Sequence, residues 1–202
     1  MNEGSIIQSV SPNDKELWCQ FQQGNEAALA SLYSRYFDHL YNYGFKFTQD
    51  VTLVEDCIQE LFIKLIRNRQ NLSLPDSVKN YLFKAYRSYM FDRMEKLKKY
   101  PTQDLNESMD FELDLHRESG LIVEEEQVAR GKKLNEAIQE LTPRQKEAIF
   151  LRYQEGLSYP AIAEMLSLSQ KATYKLIGRA IQALRSATGS RETSRTIDQK
   201  NI

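Results

Sequence analysis

The sequence is poor in the residues that build most catalytic and metal centres. Its 202 residues include two histidines and two cysteines, scattered so that no zinc-ligand spacing arises. Glycine and proline are scarce, at eight and five, and no glycine-rich stretch has the form of a phosphate cradle. No apolar run is long enough to span a membrane. The start, MNEGSIIQSVSPND, lacks a basic segment followed by an apolar core, so no signal peptide is expected. Cys19 and Cys57 both fall in helical patterns; as buried free thiols they fit a reducing cytoplasm. A hydrophobic content of 41% with little glycine or proline predicts a globular, all-α chain of one or two small domains.

The charge is segregated. The net charge is −1, yet Asp104 to Glu126 carries nine acids and a single base, Arg117. That stretch nets −8 and leaves +7 on the rest of the chain. Its few apolar groups predict a flexible acidic linker over 101–127. It separates two helical domains, 14–100 and 128–187, flanked by a loose lead-in (1–13) and a polar tail (188–202).

The most informative stretch is Leu157 to Arg185. Ser158 can cap a helix with Pro160 in its first turn, where the missing N–H costs nothing. Ile162 and Leu166 fall on one face, with small Ala163 where a second helix must cross. Ser167-Leu168 makes a turn, and Ser169 caps a second helix in which Thr173, Leu176, Ile177, Ala180, Ile181 and Leu184 recur at helical spacing. The other face carries Gln170, Lys171, Tyr174, Lys175, Arg179 and Arg185. This is the spacing of a helix-turn-helix whose second helix suits the DNA major groove. An ordinary amphipathic pair with a solvated basic face has the same spacing.

Upstream, Asp14 or Asn13 can cap a helix ended by Gly24. Asn25 caps a second, with Ala28, Leu29, Leu32, Tyr33, Tyr36, Leu40 and Tyr43 as its core stripe and His39 as a surface or packing residue. Asp50 caps a third. Its Val54, Cys57, Ile58, Leu61, Phe62 and Leu65 face inward, while Asp56, Gln59, Glu60, Ile63 and Arg67 recur on the other side. An isoleucine among carboxylates and an amide reads as a docking surface, or equally as a solvated face with one stray apolar residue. A loop over Asn68–Ser77 follows, with Pro75 and Asp76 starting a fourth helix that runs to Tyr100-Pro101. That helix holds Tyr81, Phe83, Tyr86, Tyr89 and Phe91, and from Lys84 to Lys99 it nets +4. These are too many rings for one buried stripe. Rings interleaved with cations are what single-stranded nucleic acid binds, by stacking and by phosphate neutralisation; a wide apolar face in a bundle also accounts for them. Beyond the linker, Leu134, Ala137, Ile138 and Leu141 form one helix face. Thr142-Pro143-Arg144-Gln145 reads as a capping box, and Ala148, Ile149, Leu151 and Tyr153 as core.

Two motifs carry a family resemblance over roughly residues 20–187. Glu55-Asp56-Cys57-Ile58-Gln59-Glu60-Leu61-Phe62 is similar to the D-x-x-Q-E-x-F pattern of region 2 in the sigma-70 family. Leu141-Thr142-Pro143-Arg144-Gln145, with Glu155-Gly156-Leu157-Ser158-Tyr159 and Arg179-Ala180 to Leu184-Arg185, is similar to region 4. With the acidic linker between them, the chain resembles an extracytoplasmic-function (group IV) sigma factor of bacterial RNA polymerase. The resemblance implies that Asp56, Gln59, Glu60 and Ile63 dock on the polymerase clamp, with region 4 on the flap. It implies that Tyr81, Lys84, Arg87, Ser88, Phe91 and Arg93 bind the −10 element, the Asn68–Ser77 loop holding a base flipped from the non-template strand. Ser169, Gln170, Lys171, Tyr174 and Lys175 would read the −35 element as duplex, with Arg179 on phosphate. The linker would thread the channel later filled by RNA. An anti-sigma factor is a further partner known in the family. No catalytic residue, metal or cofactor is implied. The chain departs from the family at Arg87-Ser88, at Ala161-Ile162-Ala163 and at Lys171-Ala172-Thr173-Tyr174.

Two other functions compete. A stand-alone helix-turn-helix regulator accounts for 131–187 but leaves the acidic-amide helix, the aromatic-basic helix and the linker without a purpose. An enzyme built on Glu55, Asp56 and Glu60 would have three carboxylates on one helix with no histidine or cysteine suitably placed.

Overall fold

The computed structural model describes residues 13–97, 110–113 and 125–188. The lead-in before Asn13, the end of the fourth helix at Tyr100-Pro101, most of the acidic linker and the tail beyond 188 lie outside the described residues. The chain divides into two compact units, Met1–Leu105 and Asn106–Ile202. Among the described residues all regular structure is helical.

The N-terminal unit packs α1 (Asp14–Gln22), α2 (Glu26–Phe45), α3 (Val51–Asn68) and α4 (Val78–Leu97), with a 3₁₀ turn at Arg69–Asn71. Its helices start where side chains can hold the free amides. The Asn13 side chain accepts from the Glu16 amide at 2.9 Å while Glu16 accepts from the Asn13 amide at 3.1 Å. Asn25 accepts from Ala28 and Asp50 from Leu53, each at 3.1 Å. Such caps contribute about 1 kcal/mol each. Gly24, at φ +92°, reverses the chain between α1 and α2. The fourth start differs from expectation. α4 begins at Val78, after the Ser77 hydroxyl takes the Asn80 amide at 3.2 Å. Pro75 and Asp76 stay in the loop, because Leu74 before them has no acceptor with which to cap a helix there. Asp14 also joins α1 to α2 by accepting from Arg35 and from the Tyr36 hydroxyl. Burial, and then the Asp14 carboxylate, raise the Tyr36 phenol well above its ordinary value.

Trp18, Leu40, Tyr43, Val54, Ile58, Leu82, Phe83, Tyr86 and Met90 are fully buried and fill the space between the four helices. Leu29 and Tyr33, expected as core, are half-buried; Tyr33 sits edge-on to Phe62 at 4.9 Å. Gly44 sets the closeness of α2 and α4. A Cβ there would lie 2.0 Å from the Tyr86 hydroxyl oxygen, 3.0 Å from the ring carbon bearing it and 3.1 Å from a Val54 methyl.

The C-terminal unit contains α5 (Glu125–Gln139), α6 (Pro143–Ile149), a π turn at Phe150–Gln154, α7 (Tyr159–Met165) and α8 (Gln170–Thr188). α5 begins at Glu125, before the expected start near Val128. Thr142 and Gln145 form the expected capping box. The π turn changes the core assignment. With the Glu155 amide bonded to the Phe150 carbonyl five residues back, at 3.1 Å, Phe150 and Leu151 face inward. Tyr153, expected as core, is 62% exposed, because the wider turn rotates it off the buried face.

The linker is also not uniformly loose. Phe111 and Leu113 are buried in the C-terminal unit, while Asp110 and Glu112 are exposed. Phe111 meets Phe150 edge-on at 5.6 Å, and the Gln139 amide donates to the Leu113 carbonyl at 3.1 Å. Two apolar side chains in alternation therefore clip part of an acidic segment to a folded domain.

Gly44→Ala should destabilise the N-terminal unit by about 1–3 kcal/mol through overpacking. Tyr86→Phe in the same chain should recover part of that loss. Denaturant unfolding followed by the fluorescence of Trp18, the chain's single tryptophan, measures both. Phe111→Ala should cost the C-terminal unit about 3–5 kcal/mol, enough to open a unit this small. Limited proteolysis should then cut within α5–α8 at rates the parent protein resists.

Candidate functional site

The inward stripe of α3 decides what its other face shows. With Val54, Cys57, Ile58, Leu61 and Leu65 buried, Asp56, Gln59 and Glu60 are exposed, and Ile63 is 39% exposed beside them. Ile66, one turn on and 43% exposed, extends the apolar patch. Sequence reading had put Arg67 on this face and passed over Ile66; its signal was the three-residue step from Ile63. Glu60 and Lys64 pair at 4.0 Å, which adds little stability at an exposed site. The Lys64 ammonium also lies 3.9 Å from the centre of the Tyr89 ring on α4. Directly beneath, burial pushes the Cys57 thiol up to about 11, with Arg93 opposing the shift and Asp56 and Glu60 adding to it.

On α4, Tyr81, Lys84, Ser88 and Phe91 follow one another at three- and four-residue steps along one face. Lys84, Ser88 and Arg93 are exposed, and Tyr81 and Phe91 are half-buried. Tyr81 packs edge-on against Trp18 at 5.2 Å, and its phenol is raised by burial and then by Tyr89. Phe91 meets Phe47 edge-on at 5.4 Å. Arg87, assigned to DNA by resemblance, lies deeper than the rest of that set: it is 9% exposed, with its guanidinium carbon 4.0 Å from the centre of Phe91. The helix turns Arg87 inward with Tyr86 and Met90, and its cation packs against the Phe91 ring. The loop before α4 is tied to α1 by the Gln22 amide, which donates to the Leu72 carbonyl. Its end and α1 line an open cleft of about 700 Å³ that includes Cys19, Gln20, Asp76 and Ser77.

The C-terminal unit holds the helix-turn-helix, α7 and α8. Ser158 caps α7 and Ser169 caps α8, accepting from Ala161 at 3.4 Å and Ala172 at 3.1 Å. Between them the Leu168 amide donates to the Ala163 carbonyl at 2.8 Å and the Ser167 amide to the Glu164 carbonyl at 3.3 Å. This double closure needs a left-handed residue after the helix, usually glycine; Ser167 fills the place at φ +54°. Arg144 fixes the same turn by donating to the Leu166 carbonyl at 2.6 Å. Thr173, Ile177 and Ala180 are buried, which leaves Ser169, Gln170, Lys171, Tyr174, Lys175 and Arg179 exposed along α8. Tyr174 stacks on Tyr159 of α7, their centres 4.1 Å apart and their planes 18° from parallel. The Arg152 guanidinium carbon lies 4.9 Å from the centre of Tyr159. Sequence reading missed Arg152 and Tyr159, since no spacing rule links either to Tyr174. Among the described residues no group of three histidine, cysteine or carboxylate side chains could hold a metal ion, and no helix is long and apolar enough to cross a membrane.

Two family models match these units: sigma-70 region 2 over residues 32–100 and sigma-70 region 4 over residues 131–184. The chain belongs to the sigma-70 family. The RNA polymerase sigma factor SigV of Bacillus subtilis (strain 168) is 24% identical over 164 residues, 81% of this chain and 93% of the relative. The ECF RNA polymerase sigma factor SigX of the same organism is 24% identical over 162 residues, 79% of this chain and 83% of the relative. The fold is shared with CnrH, solved in complex with the cytosolic domain of CnrY (TM-score 0.55, 22% identity, 89% of this chain and 99% of that one). It is shared too with the sigma factor RpoE of Bartonella quintana, solved with the anti-sigma factor NepR (TM-score 0.56, 17% identity, 81% and 98%). The protein is thus an RNA polymerase sigma factor of the extracytoplasmic-function type, acting in transcription initiation. The α3 surface lies in region 2 and the helix-turn-helix in region 4.

In this sigma factor the raised Cys57 thiol gives a pH dependence of known sign. The unfolded chain ionises near the ordinary value of 9 and the folded chain near 11. The contribution is therefore complete below pH 9 and lost as pH climbs toward 11. Unfolding measured between pH 8 and 10 should show the parent protein losing stability and Cys57→Ala losing less over the same range. Iodoacetamide at pH 8 should label half-buried Cys19 well before Cys57.

Proposed function

We propose that the exposed α3 face docks the protein on the clamp of core polymerase, that α4 binds the melted −10 element, and that α8 reads the −35 element as duplex. The observation that carries this reading is the outward set Asp56, Gln59, Glu60, Ile63 and Ile66 on α3, a mixed acidic, amide and apolar patch. Its apolar centre and polar rim have the composition of a protein interface. On α4 the direct contacts are Lys84, Ser88, Arg93 and the free sides of Tyr81 and Phe91, with Arg87 holding Phe91 in place. On α8 they are Ser169, Gln170, Lys171, Tyr174 and Lys175, with Arg179 on phosphate. The units work as region 2 over 14–100 and region 4 over 128–187, the latter also meeting the flap. The protein carries out no chemistry of its own: it positions the polymerase and favours the opened duplex. Its place of action is the cytoplasm, with the polymerase. The solved sigma factor RpoE, named with the anti-sigma factor NepR, supports an anti-sigma factor as a further partner.

Run-off transcription with purified core polymerase on a genomic promoter pool tests the reading. New start sites that depend on the protein, sharing sequences near −10 and −35, are expected. Absence of new transcripts, with tight sequence-specific binding by the protein alone, would establish a stand-alone regulator instead. Asp56→Lys with Gln59→Ala should abolish co-purification with core polymerase while leaving Trp18 fluorescence unchanged. Lys171→Ala should weaken some promoters and spare polymerase binding; a uniform loss at every promoter would make Lys171 a phosphate contact.

A further inference from the structure

Tyr174 is 54% exposed on the outward face of α8, yet it is held. One side of its ring is covered by Tyr159, 4.1 Å away and nearly parallel. Tyr159 is backed by Arg152, whose guanidinium also donates to the Leu157 carbonyl at 2.9 Å. A lone tyrosine on a solvated helix face samples more than one χ1 well. A ring stacked on a second ring, itself backed by a cation, is confined to one. The fold of α7 does not rest on the stack alone. α7 is capped by Ser158, and Ile162, Ala163, Met165 and Leu166 supply its buried contacts. The arginine in the π turn thus lies against the tyrosine at the start of α7, which in turn stacks on one residue of the recognition helix, between Lys171 and Lys175.

We infer that Tyr159 is a positioning residue for promoter readout. Through the stack, and supported by Arg152, it presents the uncovered face of Tyr174 to the major groove as a rigid apolar plate that selects thymine by its C5-methyl group. The inference rests on the −35 role proposed for α8. The thymine C5-methyl is the base-edge group in the major groove that apolar side chains contact. Direct contact by Lys171 or Lys175 favours guanine, so the plate supplies a preference that its neighbours cannot. Fixing the ring beforehand lowers the ordering cost of binding.

The test uses holoenzyme assembled from core polymerase and the full chain, on the strongest promoter recovered from the run-off pool. Each thymine of its −35 element is replaced in turn by uracil, which removes the methyl and nothing else. At one position the parent holoenzyme should lose about fourfold in open-complex formation, the effect of one buried methyl group. Tyr174→Ala should abolish that uracil penalty. Tyr159→Ala should also abolish or sharply reduce it, Tyr159→Phe should retain it, and Arg152→Ala should weaken it. A merely structural Tyr159 would lower output on thymine and uracil templates alike, leaving their ratio unchanged, and that result overturns the inference. So does a parent holoenzyme that starts transcription from this promoter but is indifferent to uracil at every position. If no promoter is used by the parent holoenzyme, the sigma reading itself has failed, and the two failures are distinct.

Discussion

The distance between α2 and α4 governs the surface of the N-terminal unit. Gly44 leaves room for the Tyr86 hydroxyl where any other residue would place a Cβ, and that hydroxyl donates to the Val54 carbonyl at 3.4 Å. One glycine and one tyrosine thereby bring α2, α3 and α4 to a common point. With Tyr86 inward, helical geometry also draws in Leu82, Phe83 and Met90. Lys84 and Ser88 are left outside, with Tyr81 and Phe91 at the edge. The aromatic-basic surface of α4 is what the core does not take. Its precision comes from side chains that face the other way: Trp18 against Tyr81, Phe47 and Arg87 against Phe91. An arginine held inward on a phenyl ring steadies that ring.

The C-terminal unit solves a related problem through a π turn. The extra residue in the turn aims Phe150 at Phe111 and carries Tyr153 to the surface. Gly156, at φ +69°, then redirects the chain into α7. The same turn supplies Arg152 to the back of Tyr159. Irregular backbone here does two jobs. It makes an aromatic seat for a segment far upstream, and it brings a cation to the ring that stacks against α8. Such turns recur at functional positions because a regular helix could not serve both directions.

Local chemistry made much of this visible in the sequence. The caps at Asn25, Asp50, Thr142, Ser158 and Ser169 depend on neighbours three residues away, and each lies where composition and periodicity placed it. The helix-turn-helix and the exposed side of α3 were legible for the same reason: a buried stripe at helical spacing defines its complement. What escaped was set by contacts distant in sequence or by irregular backbone. Pro75-Asp76 looked like a helix start because Pro at the first position is common, but the hydroxyl of Ser77 took the role. Arg87 was placed with the DNA-facing set by resemblance alone, and nothing in its spacing signalled the Phe91 ring it packs on. Phe111 and Leu113 were hidden by the acids around them, since composition averages over a segment whose alternate residues face opposite ways. The Tyr159–Tyr174 stack joins two helices and has no period at all.

The burial of Phe111 and Leu113 bears on how the charge segregation acts. The acidic stretch nets −8, and the clip fixes part of it to the unit that also carries Lys171, Lys175 and Arg179. Much of the DNA affinity of a basic helix is the salt-dependent release of counterions from phosphate. Carboxylates subtract from that term wherever they come within a Debye length, about 8 Å at physiological salt, of the basic face. Contacts that read base edges, such as a tyrosine plate against a methyl group, are nearly independent of charge and are not reduced. On the proposed role of α8, such a chain would give up general affinity for DNA in isolation and keep its discrimination. That combination suits a factor whose hold on DNA comes from the polymerase it accompanies, and suits a stand-alone repressor poorly.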